Sequence, residues 1–253
     1  MPQSLPGDGM TGGDATGAEA TLNQHLAWMR EGSDCFERAV AALGDGALSG
    51  PSRLPGWDRR HVMAHVVGNA EGLGRLAEWA ATGTVNPMYA SSEERLEAIE
   101  ATARLSAGEL RARVDHSSST LDERLAALQP AAWDARVTTA TGREVPAREI
   151  PWIRSREIWL HAVDLDSDVG LDDLPPALTA EILDEVLPTL TRRGAGPLRV
   201  RADDLEREWT VGDLDDAVAI SGAAVAVLGW AIGRADPAGL VPVEAVPTLE
   251  RWL

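Results

Sequence analysis

Glu157 and His161 stand four residues apart inside an apolar stretch that holds Ile150, Trp152, Ile153, Ile158, Trp159, Leu160 and Val163. On a helix this spacing sends both side chains from one face, one above the other. Far upstream His61 and His65 repeat the spacing, flanked by Val62, Val66 and Val67. Two such helices packed together can offer three nitrogen or carboxylate ligands to one metal ion. Three protein ligands leave the fourth tetrahedral position open, which separates catalytic from structural zinc. A glutamate on so apolar a helix needs a partner, because burying a bare carboxylate is costly. The competing reading is an ion pair from Glu157 to Arg154, Arg156 or an arginine of another helix. Spacing leaves open which of His61 and His65 would bind. His25 and His116 sit in polar surroundings, are expected to be exposed, and are set aside.

The elements that must position these residues follow from periodicity. Residues 1–20 are rich in Gly, with Pro, Asp and Thr, and read as a disordered tail. Leu22, Leu26, Met29, Phe36, Val40 and Leu43 recur at helical spacing and predict a first helix over 22–43. A Gly- and Pro-rich loop reaches Gly56, and Asp58 is placed to cap a second helix that carries His61 and His65 to about Ala81. Asn86-Pro-Met-Tyr89 interrupts the pattern. Further helices are expected over about 91–103 and 107–127, then a short strand or hairpin near 135–139 and 142–145. The helix of Glu157 and His161 is expected over about 147–165.

The pattern changes after Asp168. A helix opening on Pro175-Pro176 runs to Arg193, followed by β-like runs at 198–201, 208–211 and 217–221. An apolar helix from Ser221-Gly222 to Arg234 and an extended tail, 239–253, close the chain. The expected fold is α+β: a helical bundle over residues 21–170 and a small C-terminal α/β domain over 171–253.

Composition narrows the function. The chain of 253 residues carries a net charge of −17, so nucleic acid is an unsuitable partner, since phosphate binding needs a basic face. All 23 basic residues are arginine, which leaves no lysine for a Schiff base and assigns any anionic ligand to guanidinium groups. Cys35 is the single cysteine, which excludes an internal disulfide and a thiolate-rich zinc site. No apolar run approaches the roughly 20 residues needed to span a bilayer, and the first twenty residues do not read as a signal peptide. A soluble, cytoplasmic monomer is expected. The tryptophans of the helices, Trp79, Trp152 and Trp159, are read as core.

Five peptides carry a resemblance. Leu54-Pro-Gly-Trp-Asp-Arg-Arg-His-Val-Met-Ala-His65-Val-Val-Gly-Asn-Ala70 and Trp152-Ile-Arg-Ser-Arg-Glu157-Ile-Trp-Leu-His161-Ala-Val-Asp-Leu165 resemble the mycothiol-dependent maleylpyruvate isomerases. Asn86-Pro-Met-Tyr-Ala-Ser91, Thr141-Gly-Arg-Glu-Val-Pro146 and Arg251-Trp-Leu253 resemble them too. The likeness runs in order from about residue 22 to the C-terminus and is weakest over 194–216.

The resemblance implies a DinB-like helical bundle binding one divalent metal, usually zinc, followed by a smaller α/β domain. It implies His65, Glu157 and His161 as metal ligands, so it selects His65 over His61. It also implies a functional arginine at Arg234. The family reaction is cis–trans isomerisation of maleylpyruvate to fumarylpyruvate, in gentisate-type aromatic breakdown, with mycothiol as thiol cofactor. The substrate is a dianionic keto acid, so arginines must meet its carboxylates. Arg234 is the first candidate, with Arg154, Arg156, Arg59 or Arg60 as further ones, and Tyr89 as a residue that could border the site. Two alternatives on the same bundle are another mycothiol-dependent S-transferase and a non-catalytic metal-binding regulator.

Overall fold

The computed structural model describes residues 12–213 and 215–249. The closing Arg251-Trp-Leu253 peptide and residues 1–11 of the expected tail lie outside the described residues. The chain divides into two compact units, with the break between Ser167 and Asp168. Among the described residues no helix is long and apolar enough to cross a membrane.

The first unit is built on five helices: α1 (Gly12–Ala42), α2 (Arg59–Thr82), α3 (Ser92–Ala103), α4 (Ala107–Ala126) and α5 (Ile150–Asp164). The first helix starts at Gly12, inside the stretch expected to be a tail, because residues 12–20 contain no proline to stop it. Local chemistry sets the other starts. Asp58 accepts a hydrogen bond from the His61 amide and caps α2, while Gly83, at φ 72°, ends it in the left-handed conformation. Ser91 caps α3 through the Glu94 amide. Ser106 and Glu109 form a reciprocal capping box at the start of α4. Between α4 and α5, β1 (Arg136–Thr138) and β2 (Glu144–Pro146) pair antiparallel as a two-stranded hairpin with Val137 opposite Val145, both buried.

Helix α5 is the central element. All of its fifteen residues except Arg156 are buried, with α1 and α2 packed along it. Gly32 of α1 makes the closest approach: a Cβ there would lie 2.5 Å from Ile158 Cγ2 and 2.8 Å from the Trp159 ring. Trp159 donates from its indole to the Trp28 carbonyl at 2.9 Å, so its ring is both core and link. Trp152 is also buried and Trp79 partly so, in keeping with their reading as core.

The second unit holds α6 (Pro176–Val186), β3 (Leu198–Ala202), β4 (Arg207–Val211), β5 (Val218–Gly222) and α7 (Ala224–Ala231). Strand β3 is central, antiparallel to β4 and parallel to β5. Its burial alternates strictly, Leu198, Val200 and Ala202 facing inward. The helix expected to run to Arg193 changes at Leu187 into a 3-10 segment, because Pro188 removes an amide donor. Helix α7 is shorter than expected and stops three residues before Arg234. A short 3-10 turn, Pro237–Gly239, leads into the expected extended tail and a second, Val243–Ala245, lies within it, while Val241 pairs with Ser221 at the edge of β5.

Candidate metal centre

Helices α2 and α5 bring His65, Glu157 and His161 together. One donor atom from each lies within 4.8 Å of the other two, and all three residues are buried. His65 Nε2 is 3.1 Å from Glu157 Oε2, and His161 Nε2 is 3.5 Å from the same oxygen. The two imidazoles meet edge to face, with centroids 4.6 Å apart and planes at 87°. Trp57 closes one side, its ring 5.6 Å from that of His65.

His61 does not join this group. At the first turn of α2 its Nδ1 bonds Asp58 Oδ1 at 2.6 Å, and its Nε2 is 3.2 Å from Glu100 Oε1. The capping aspartate and α3 therefore hold it away from α5. His116 is exposed, as expected. His25 is not exposed: it is 7% accessible, with its ring between Trp28 and Trp152. Its polar sequence neighbours lie on the outer face of α1, while His25 shares the inner face with Trp28 and Met29.

The surroundings assign the protons of the tripod. Burial alone would raise the Glu157 carboxyl, but hydrogen bonds from His161 and His65 hold it well below its ordinary value. Burial opposes charge on His161 as well, yet the bonds to Asp164 and Glu157 raise it above an ordinary histidine. His65 is pushed down to about 4, chiefly by burial, against the bond to Glu157. Arg95 Nη2 lies 3.0 Å from His65 Nδ1. A guanidinium can only donate, so this nitrogen is the acceptor and Nε2–H points at Glu157. The centre thus sets a carboxylate at Glu157 between a His161 whose charged form is favoured and a His65 whose neutral form is favoured.

The donor set fits a divalent cation. Two imidazole nitrogens and one carboxylate are a zinc-type ligand set with one position to spare. Asp164, fully buried, accepts from His161 Nδ1 at 2.9 Å, which is how a metal-binding imidazole is held. On His65 the fit demands a change. A cation at Nε2 needs that lone pair, which places the ring proton on Nδ1, where Arg95 cannot accept it.

The arginines suggested by sequence are otherwise engaged. Arg154, fully buried, donates to the Val66 carbonyl at 2.9 Å and to Asn69 Oδ1 at 3.0 Å, tying α5 to α2 beside His65. Burial pulls it down to about 10. Arg59 donates to the carbonyls of Leu165, Asp166 and Ala47. Arg60 reaches those of Ala103 and Leu105. Of the expected ion pairs with Glu157, the one with Arg156 is present, at a loose 3.5 Å. Arg234 follows α7 in the second unit, where its Nη1 donates to the Ile232 carbonyl at 3.3 Å. Cys35 is buried core. Tyr89 is half-buried between Arg75 and Arg95, with centroid distances of 5.9 and 5.7 Å.

Sequence reasoning missed two residues. Asp164 had a legible signal, since it stands three residues after His161 on the same helix. Arg95 had none, because only the packing of α3 on α2 carries it to His65. Two surface depressions, of about 450 and 830 Å³, are lined elsewhere, by residues such as Glu71 and Arg113 and by Glu37 and Asp115.

Comparison with known proteins bears on the whole chain. Residues 18–166 match the family described as the mycothiol maleylpyruvate isomerase N-terminal domain. A crystal structure of a mycothiol-dependent maleylpyruvate isomerase is similar at 34% identity and a TM-score of 0.86, over 91% of this chain and 97% of that one. The structure of a histidine-to-alanine mutant of a mycothiol-dependent maleylpyruvate isomerase is similar at 33% identity and 0.85, with the same coverage. YfiT from Bacillus subtilis, described as a probable metal-dependent hydrolase, stands at 14% identity and 0.45, too distant to carry an argument. No curated protein matches.

Proposed function

Since the chain belongs to the mycothiol-dependent maleylpyruvate isomerase family, we propose that it converts maleylpyruvate to fumarylpyruvate with mycothiol as thiol cofactor. In this reading His65, Glu157 and His161 hold one divalent ion, zinc, and residues 21–170 form the metal-binding domain. The enzyme works as a cytoplasmic monomer. The observation that carries the proposal is the buried His-Glu-His tripod, whose three ligands leave a coordination position open.

The reaction sets the demands. A C=C bond cannot rotate thermally, so it must become single for a moment: a thiolate adds to the alkene, the bond turns, and the thiolate leaves. A bound zinc ion would favour the thiolate near neutral pH without oxidising it. The chain's own residues supply the rest. Asp164 fixes the His161 ring, and the carboxylate of Glu157 lowers the centre's net charge. Arg154 anchors α2 to α5 and so sets the separation of His65 from the other two. Cys35 is in the core and is not the thiol. Arg234 is proposed to take one substrate carboxylate, a task suited to its planar fork.

Replacing Arg234 by alanine tests the substrate assignment. The variant is expected to keep one zinc per chain and lose maleylpyruvate turnover. Turnover at the native rate would remove Arg234 from the mechanism.

A further inference from the structure

Arg95 is the arginine that the chemistry so far leaves without a task. It sits on α3, half-buried, with its guanidinium 5.7 Å from the Tyr89 centroid and one nitrogen 3.0 Å from His65 Nδ1. One imidazole ring therefore separates it from the donor atoms of the tripod. Among the described residues no aspartate or glutamate forms an ion pair with it, although the chain carries 40 acidic residues against 23 basic ones. In a chain so acidic, a half-buried arginine without a carboxylate partner beside a metal-competent centre is suited to an anionic ligand.

The hydrogen-bond inventory points the same way. A guanidinium has five N–H donors in a fixed fork suited to a carboxylate. Here the guanidinium hydrogen-bonds the Tyr89 hydroxyl and a neutral ring nitrogen of His65, and a cation on His65 Nε2 would dissolve the second contact, because Nδ1 then carries a proton. Tyr89 holds the Arg95 guanidinium through its ring and a side-chain hydrogen bond, and Arg75 packs on the same ring while donating to the Met88 carbonyl at 3.0 Å. Tyr89 is thus fixed by Arg75 and gives Arg95 a second contact besides His65. Arg154, Arg59 and Arg60 cannot serve this role, since their donors are committed to carbonyl and side-chain oxygens of the fold.

We propose that Arg95, supported by Tyr89, is a carboxylate-binding residue of the active site: it grips one carboxylate of the dicarboxylate substrate next to the His65–Glu157–His161 centre. Arg95 decides that the site takes a dianion in place of a neutral alkene. The substrate's identity rests on the preceding reading, but the carboxylate chemistry does not.

The test uses the zinc-loaded full chain and maleate, a simple cis-dicarboxylate, as the probe. Calorimetry measures maleate binding to the native protein and to Arg95→Met and Arg95→Lys, with zinc content determined on each sample. Arg95→Met is expected to keep one zinc per chain and to bind maleate about 10- to 100-fold more weakly, the loss of charge-assisted hydrogen bonds. Arg95→Lys is expected to recover part of the affinity. In the isomerase assay KM should rise by a similar factor, with kcat changed less. Native affinity for maleate in Arg95→Met would overturn the proposal, as would loss of zinc, which would make Arg95 a support of the centre. Absence of maleate binding to the native protein would overturn it too. Arg95-dependent maleate binding by a native protein inert towards maleylpyruvate would leave this inference standing and remove the isomerase reading.

Discussion

Asp164→Asn probes how the metal centre is held. Asp164 is fully buried, and its Oδ2 accepts from His161 Nδ1 at 2.9 Å. The substitution leaves an acceptor of the same shape and removes its charge. A hydrogen bond to a charged group contributes about 1.5–3 kcal/mol and a neutral one about 0.5–1.5, so the difference is about 1–1.5 kcal/mol. At about 1.4 kcal/mol per decade, zinc affinity should fall about tenfold. Asp164→Ala also removes the acceptor, and the full term corresponds to a fall of about 10- to 150-fold. A second effect has the opposite sign. Although burial disfavours charge on His161, Asp164 helps to raise its pKa, so either variant frees the ring proton more easily and reduces competition with zinc. The comparison therefore belongs at about pH 8.5, where a histidine proton competes least. The assay is competition for zinc against a chromophoric chelator, on protein whose far-ultraviolet circular dichroism is unchanged. Native zinc affinity in both folded variants at that pH would refute the claim that Asp164 holds a ligand.

Three further outcomes follow from the same geometry. His65→Ala should bind no zinc, whereas His61→Ala should keep one per chain and lose less than about 1 kcal/mol of stability, since its contacts are partly exposed; metal analysis and urea unfolding check both, and the reverse pattern would misplace the centre. Zinc binding near pH 7 should release about one proton, from His161, whose pKa lies above the ordinary value. Affinity should therefore fall as pH drops through neutrality, and proton release should vanish at high pH. Calorimetry in buffers of different ionisation enthalpy reads the proton count, and a count of zero at pH 7 would contradict the assigned protonation. Gly32→Ala should cost about 1–3 kcal/mol through overpacking against Ile158 and Trp159, seen as a lower urea midpoint; an unchanged midpoint would mean that α1 and α5 separate freely.

Much of this was legible because local chemistry governed it. Asp58 caps the helix that its side chain was placed to cap, and the four-residue spacing of Glu157 and His161 needs only a helix to align them. The hairpin near Val137 and Val145 follows from alternation around a Gly142 turn. What was not legible depends on packing between elements. His61 and His65 share a spacing, and what separates them is packing: α5 meets His65, while Asp58 and Glu100 occupy His61. His25 looked exposed because its neighbours along the chain are polar, but burial belongs to a helix face and not to a window of sequence. Arg95 reaches His65 from another helix, thirty residues later in the chain. The helix after Pro176 was drawn too long because Pro188, inside an apolar run, still tightens it to a 3-10 turn.

The most direct test of the proposed function is the absorbance change of maleylpyruvate, followed with and without mycothiol, on zinc-loaded and chelator-stripped protein. The account predicts turnover only when both zinc and mycothiol are present, and its return when zinc is added back. A zinc-loaded protein that leaves maleylpyruvate unchanged in the presence of mycothiol would contradict it.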